Sequence, residues 1–121
     1  MKLVSITHHK NGNTKKEEYF DNRENVPFDS KVIWYYENGN KKEEWHFKDN
    51  LRHNSEGPSF VKYYKNGNIK IEGYCQDNEY HKLDGPAIIW YDENGNIEDQ
   101  TYSIYGKVYD EFQYWVCVSS L

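Results

Sequence analysis

The chain has 121 residues, a formal net charge of -5, 36% hydrophobic residues and a mean hydropathy of -1.10. That length suits one domain, it holds no apolar run long enough for a membrane-spanning helix, and its acidic balance disfavours nucleic acid and anionic membrane surfaces as partners. Aromatic residues make up 17%, including 12 Tyr and 4 Trp, so burial has to come largely from amphipathic rings, which suits a thin sheet.

The N-terminal Met1-Lys2-Leu3-Val4-Ser5-Ile6 lacks the apolar stretch of a signal peptide. Cys75 and Cys117 share no metal-type spacing. A reduced, cytoplasmic protein without a cofactor is expected. Asn-Gly-Asn then appears at residues 11–13 and returns at 38–40, 66–68 and 94–96, in steps of 27, 28 and 28 residues. Asn-Gly between extended segments predicts a two-residue type I′ hairpin turn, with Gly12, Gly39, Gly67 and Gly95 as its structural glycines. A fixed period of this size predicts a repeat architecture.

The expected fold is therefore all-β: serial antiparallel β-hairpin repeats forming an elongated twisted sheet. The four repeats run over about 1–26, 27–56, 57–84 and 85–107, in a single domain spanning 1–121. The first repeat offers only Ser5, Thr7 and His9 to the apolar face, as a capping unit would. Lys31-Val32-Ile33-Trp34-Tyr35-Tyr36 and Ala87-Ile88-Ile89-Trp90-Tyr91 are rich in strand formers. Between hairpins, His53-Asn54-Ser55-Glu56-Gly57-Pro58 precedes His81-Lys82-Leu83-Asp84-Gly85-Pro86 by 28 residues. Gly57, Pro58, Gly85 and Pro86 read as corners that reverse the chain, with the acid able to accept backbone amides. Two recurring histidines are too few for a zinc site. After Gly106-Lys107 the pattern changes. Asp110 is a candidate N-cap, and Phe112, Trp115 and Val116 fall on one helical face, which predicts a short capping helix within 108–121; a strand over Tyr114 to Val118 is the alternative.

Pairing through type I′ turns divides the side chains into two faces. One carries Ile33 with Glu44, Val61 with Glu72, Tyr35 with Lys42 and Tyr63 with Lys70. The other carries Val32, Trp34, Tyr36, Trp45, Phe60, Tyr64, Ile69, Ile71, Ile88, Trp90 and Ile97. That aromatic face is either a core closed by the connecting loops or, in part, an exposed groove. The row Lys15, Lys42, Lys70 reads as self-neutralised by Glu17, Glu44 and Glu72, two residues away on the same strands.

Tyr35-Tyr36-Glu37-Asn38-Gly39, Tyr63-Tyr64-Lys65-Asn66-Gly67 and Tyr91-Asp92-Glu93-Asn94-Gly95 resemble the MORN-like repeat. In particular they look like the variant found in bacterial proteins labelled as YwqK-type antitoxins and in proteins of phages and large DNA viruses. The likeness covers roughly residues 28–107, more weakly 1–20, and the ending from Gly106-Lys107 to Trp115 resembles the close of such viral repeat proteins. The period is longer than the standard unit, and Gly73 has no counterpart in repeats 2 and 4.

The resemblance implies a non-enzymatic interaction module, with a toxin or another host protein as the partner it binds and inhibits. The residues agree in showing no phosphate loop, nucleophile elbow or metal spacing. Binding is expected through Trp34, Tyr36, Trp45, Tyr64 and Trp90. The alternative is a binder of a small nucleotide-like signal that stacks on the same rings. A homodimer through the N-terminal edge strand is also expected, because open edges invite pairing.

Overall fold

The computed structural model describes residues 1–21 and 29–121; the expected boundary between the first two repeats, at residue 26, lies outside the described residues. Among the described residues, twelve strands follow one another as β1 (Lys2–His8), β2 (Thr14–Asp21), β3 (Asp29–Tyr35), β4 (Lys41–Lys48), β5 (Leu51–Arg52), β6 (Phe60–Tyr63), β7 (Ile69–Gly73), β8 (Cys75–Gln76), β9 (Glu79–Tyr80), β10 (Ile88–Tyr91), β11 (Ile97–Ile104) and β12 (Lys107–Tyr109), before the helix α1 (Glu111–Ser119). The main sheet runs β1-β2-β3-β4-β6-β7-β10-β11-β12, with β5 paired to β4 and β8 to β9. Every pairing is antiparallel, so four hairpins lie side by side in chain order, as the period predicts.

The Asn-Gly turns differ in type from the expectation. Only their glycines have positive φ, between 92° and 96°, while the asparagines do not. Gly39 N–H donates to Tyr36 O and Tyr36 N–H to Asn40 O, which closes a three-residue loop of Glu37, Asn38 and Gly39. This is a type I turn followed by a left-handed glycine. One extra residue on the outgoing strand then restores the register. Trp34 faces Glu43 while Tyr35 faces Lys41, so Lys42 is left bulged. The same step recurs in all four hairpins and bulges Lys15, Lys42, Lys70 and Glu98. Ile33–Glu44 and Val61–Glu72 therefore pair as expected, but Tyr35–Lys42 and Tyr63–Lys70 do not. Ile69 comes opposite Tyr63 and Ile97 opposite Tyr91, away from the face assigned to them above. An inserted residue reverses the alternation of side chains on one side of the bulge.

True type I′ geometry appears instead on the opposite margin of the sheet. Asp49-Asn50, Asp77-Asn78 and Tyr105-Gly106 each have two consecutive positive φ values and connect β4 to β5, β8 to β9 and β11 to β12. They are spaced 28 residues apart, a second period in the sequence.

The asparagines do more than turn the chain. Asn11 and Asn13 both donate their side-chain amides to Glu37 O, Asn38 and Asn40 to Lys65 O, and Asn66 and Asn68 to Glu93 O. Each turn thus clasps the next. The carboxamide oxygen of the first Asn also accepts from the backbone N–H of the second. Just inside the clasp, the His9 ring lies 2.9 Å from Tyr35 O, and the Tyr36 and Tyr64 hydroxyls donate to Tyr63 O and Tyr91 O at 2.7 Å. In the fourth hairpin Asp92 holds this position and accepts from the N–H groups of Asn94 and Asn96, closing its own turn.

Burial is concentrated away from the Asn-Gly margin. Ser59, Phe60, Cys75, Ala87 and Ser103 are buried near the corners, where Ser59 Oγ donates to Gly73 O and accepts from Cys75 N–H. The Phe60 ring occupies the space over Gly73, where an added Cβ would stand 2.2 Å from it. In the first corner Asn54, not Glu56, accepts the backbone amide, and Gly57 lacks positive φ. The C-terminal segment is a helix capped by Asp110, whose carboxylate accepts from Gln113 N–H. Its docking residue is Tyr114, which is fully buried. Phe112, Trp115 and Val116, expected to make the contact, are exposed. The corner presents backbone polar groups, and Tyr114 satisfies them by donating to Lys82 O and accepting from Gly85 N–H; an aliphatic or phenyl face cannot.

The clasp predicts unequal costs at equivalent asparagines. Asn66→Ala, which removes a donor and an acceptor, should cost about 1 kcal/mol, whereas Asn94→Ala should stay within about 0.5 kcal/mol. Urea midpoints at unchanged m-value measure the difference.

Candidate functional site

Cross-strand partners share a face, and two rows follow from the register. On one face Lys16, Trp34, Glu43, Lys62, Ile71, Trp90 and Asp99 line up across the sheet. Beside them run Glu18, Val32, Trp45, Phe60, Gly73, Ile88 and Thr101. The two-stranded β8-β9 sheet meets this ring face at Phe60, through Tyr80. Phe60 is buried, stacked on Trp45 at 4.7 Å with Tyr80 edge-on, while Trp34, Tyr36, Trp45, Tyr64 and Trp90 are half-buried. Trp45 also stacks on Phe47 and Trp34 lies under Lys16 Nζ at 4.6 Å. The Trp90 side chain makes no hydrogen bond, ring contact or cation contact among the described residues. The face is thus closed around Phe60 and open along the row of Trp34 and Trp90.

Lysines lie over the other rings: Lys62 Nζ is 5.8 Å from the Trp45 ring, Lys42 is 5.8 Å from Tyr36 and Lys70 is 5.7 Å from Tyr64. Lys16 and Lys62 are also ion-paired, with Glu18 and Glu43. Lys42 and Lys70 have no carboxylate partner among the described residues, because the bulge turns them to the ring face. The expected neutralisation of that row by Glu44 and Glu72 is therefore not formed. Glu44 instead holds Lys41 at 3.0 Å.

The second face was not singled out as a site in the sequence. Ile6, Glu17, Ile33, Glu44, Val61, Glu72, Ile89 and Gln100 form one row, apolar and polar by turns. Ile33 and Val61 are buried in it. Tyrosines of one hairpin reach carboxylates of the hairpin before: Tyr35 OH donates to Glu17, and Tyr91 OH donates to Glu72 at 2.5 Å. Between them Glu44 takes Lys41 and His46 instead. Burial, reinforced by the bond to Glu17, raises the Tyr35 phenol above its ordinary range, and burial with the bond to Glu72 pushes Tyr91 up to about 12. The His46 hydrogen bond and then Lys41, working against burial, hold the Glu44 carboxyl down at about 2. At neutral pH the phenols are fixed donors that tie each hairpin to the one before, while Glu44 is a fixed acceptor within β4. The recurrence of Tyr35, Tyr63 and Tyr91 before the Asn-Gly turns and of Glu17, Glu44 and Glu72 after them was the available signal.

The corner histidines are separate. His81 Nδ1 accepts from Tyr105 N–H and its ring stacks on Tyr105 at 3.8 Å, while His53 Nδ1 lies 3.7 Å from Asp77. No group of three metal-ligating side chains occurs among the described residues, and no helix is long and apolar enough to cross a membrane.

Residues 29–49 and 59–76 match the family model described as the MORN repeat variant, which supports a MORN-like repeat protein. The two matches fall on the second and third hairpins. No curated protein and no solved structure matches the chain. MORN repeats are generally modules of protein or membrane interaction and are non-catalytic in type.

The Glu44 bonds give a pH signature. Its folded pKa is about 2 against an ordinary 4.5, so its contribution to stability is complete above about pH 4.5 and is lost as pH falls towards 2. The stability gap between wild type and Glu44→Gln should be widest above about pH 5, shrink below pH 4.5 and close near pH 2. Denaturant titrations across that range read it directly.

Proposed function

We propose that the chain is a non-enzymatic protein-interaction module that docks its partner on the ring face through Trp34, Tyr36, Trp45, Tyr64 and Trp90. The observation that carries this reading is the half-burial of all five rings on one side of a single sheet layer. A partner can bury the remaining area of Trp90 directly, and that of the other four rings by packing around the lysines that lie over them. Large, rigid aromatic anchors dominate interface energetics, and the serial hairpins hold them at fixed intervals. The four repeats and the C-terminal helix act as one domain in this reading. Together with the MORN-like repeats, it favours an antitoxin-like protein or a phage or viral inhibitor that works in the cytoplasm by binding and blocking a host protein. The test is capture from host lysate on immobilised protein, with wild type, Trp34→Ala and Trp90→Ala in parallel. A specific partner should be retained by wild type and weakened at least about tenfold by each variant. Equal capture by all three would exclude this face.

We further propose that the first strand, β1, pairs two copies. It is exposed along its whole length, with Leu3, Val4 and Ile6 among the exposed apolar residues, and its outer edge carries unpaired backbone groups. Light scattering at two concentrations should show mass rising towards a dimer in wild type and a monomer in Ile6→Pro.

A further inference from the structure

The bulged lysines raise a question that the docking reading alone leaves open. A β-bulge places one residue per hairpin outside the ladder and re-aims its side chain. Here that residue is Lys15, Lys42 and Lys70 in the first three hairpins and Glu98 in the fourth. All four are exposed. Inside each of the first three turns sits the group that reaches to the next hairpin, His9, Tyr36 and Tyr64, while Asp92 at the same place in the fourth closes its own turn. Two of these units are complete, each with a lysine ammonium over a tyrosine ring and no carboxylate partner. Beside them lie two equivalent clefts, of about 490 Å³ next to Tyr36 and Lys42 and about 310 Å³ next to Tyr64 and Lys70, with Lys65 lining both. The bulged lysines and Lys65 bring positive charge to both clefts, against Glu37 in the first and Glu93 in the second.

We infer that this margin binds an extended acidic segment of a partner protein in polyproline II conformation, carrying a carboxylate at every third residue. The inference rests on the docking reading above and specifies the partner's chemistry. Units one repeat apart are two strands apart, which is about 9.6 Å at the usual strand spacing. A polyproline II helix repeats every three residues and rises about 9.3 Å in doing so. It therefore presents each third side chain to the same side at nearly the repeat distance. A β-extended peptide alternates sides and cannot. A carboxylate at each third residue would meet Lys15, Lys42 and Lys70 in turn, while the intervening residues, proline included, lie against the Tyr36 and Tyr64 rings, as aromatic grooves receive such helices. Asp92 and Glu98 repel a fourth carboxylate, so the ladder has three rungs and a defined end.

The test is calorimetric titration of the full chain with acetylated, amidated (Glu-Pro-Pro)3 and with peptides of equal charge whose glutamates are spaced two or four residues apart. Threefold spacing should bind at least about tenfold more tightly than either, and the preference should weaken with salt. The double variant Lys42→Gln/Lys70→Gln should lose it. Lys41→Gln, which removes a lysine bonded to Glu44 on the opposite face, should keep it, and Glu98→Lys should favour a four-unit peptide over the three-unit one. Circular dichroism confirms that each variant folds. Equal affinity for every spacing, or no heat at millimolar peptide, overturns the inference. If either occurs while lysate capture still depends on Trp34 and Trp90, the ring-face reading stands and only the acidic segment falls.

Discussion

Strand pairing between neighbouring hairpins stops short of the turns. The last ladder partners are Lys16 with Trp34, Glu43 with Lys62 and Ile71 with Trp90, and the Asn-Gly loops project beyond them. In a sheet one layer thick nothing packs on those ends, so they would fray as isolated hairpins do. Two carboxamides converging on one carbonyl hold each loop to the next, and the His9, Tyr36 and Tyr64 bonds hold the residues just inside. With the loops fixed, the bulges lie in register and the rings and lysines of successive repeats stand at a constant interval. The Asn-Gly margin depends on these bonds; the corner margin depends on burial around Phe60 and Tyr114.

The two faces divide the work between them. One is consumed by the structure: Tyr35 and Tyr91 are spent on Glu17 and Glu72 across hairpin boundaries, Glu44 on Lys41 and His46, and Ile33 and Val61 are sealed among them. The other stays half-covered because nothing in the described chain is large enough to lie over it, apart from the corners that close around Phe60. A thin repeat protein of this kind obtains stability from one side and leaves the other for contact.

Much of the architecture was legible because Asn-Gly recurs at a near-constant step and each flanking segment alternates apolar and polar residues. Hairpin number, chain-order pairing and the Ile33–Glu44 register follow from those two facts. The turn type did not, since Asn-Gly suits both a two-residue loop and a three-residue loop with a left-handed glycine; only the outgoing bulge separates them, and it leaves the strand register unchanged. That ambiguity sent Lys42 and Lys70 to the wrong face. The second turn series was readable, because Asp49-Asn50 repeats at Asp77-Asn78, but Tyr105-Gly106 hides its third member. In the helix, spacing identified Phe112, Trp115 and Val116 as one face but not that the corner needed a hydroxyl, which Tyr114 supplies. The five rings chosen as a site do share a face, and the sequence could not say that Phe60 rather than Trp34 would be buried among them.

Asp92 bears on how such a chain can change in length. In the first three hairpins the residue at this position reaches forward, so a duplicated 28-residue unit placed upstream of the fourth hairpin would find a waiting donor on one side and a waiting carbonyl on the other. Placed downstream, it would meet a turn already closed on itself and a carboxylate facing backbone oxygens. Duplication is thus tolerated in one direction and penalised in the other, which gives the repeat series a growing end and a fixed end written in a single side chain.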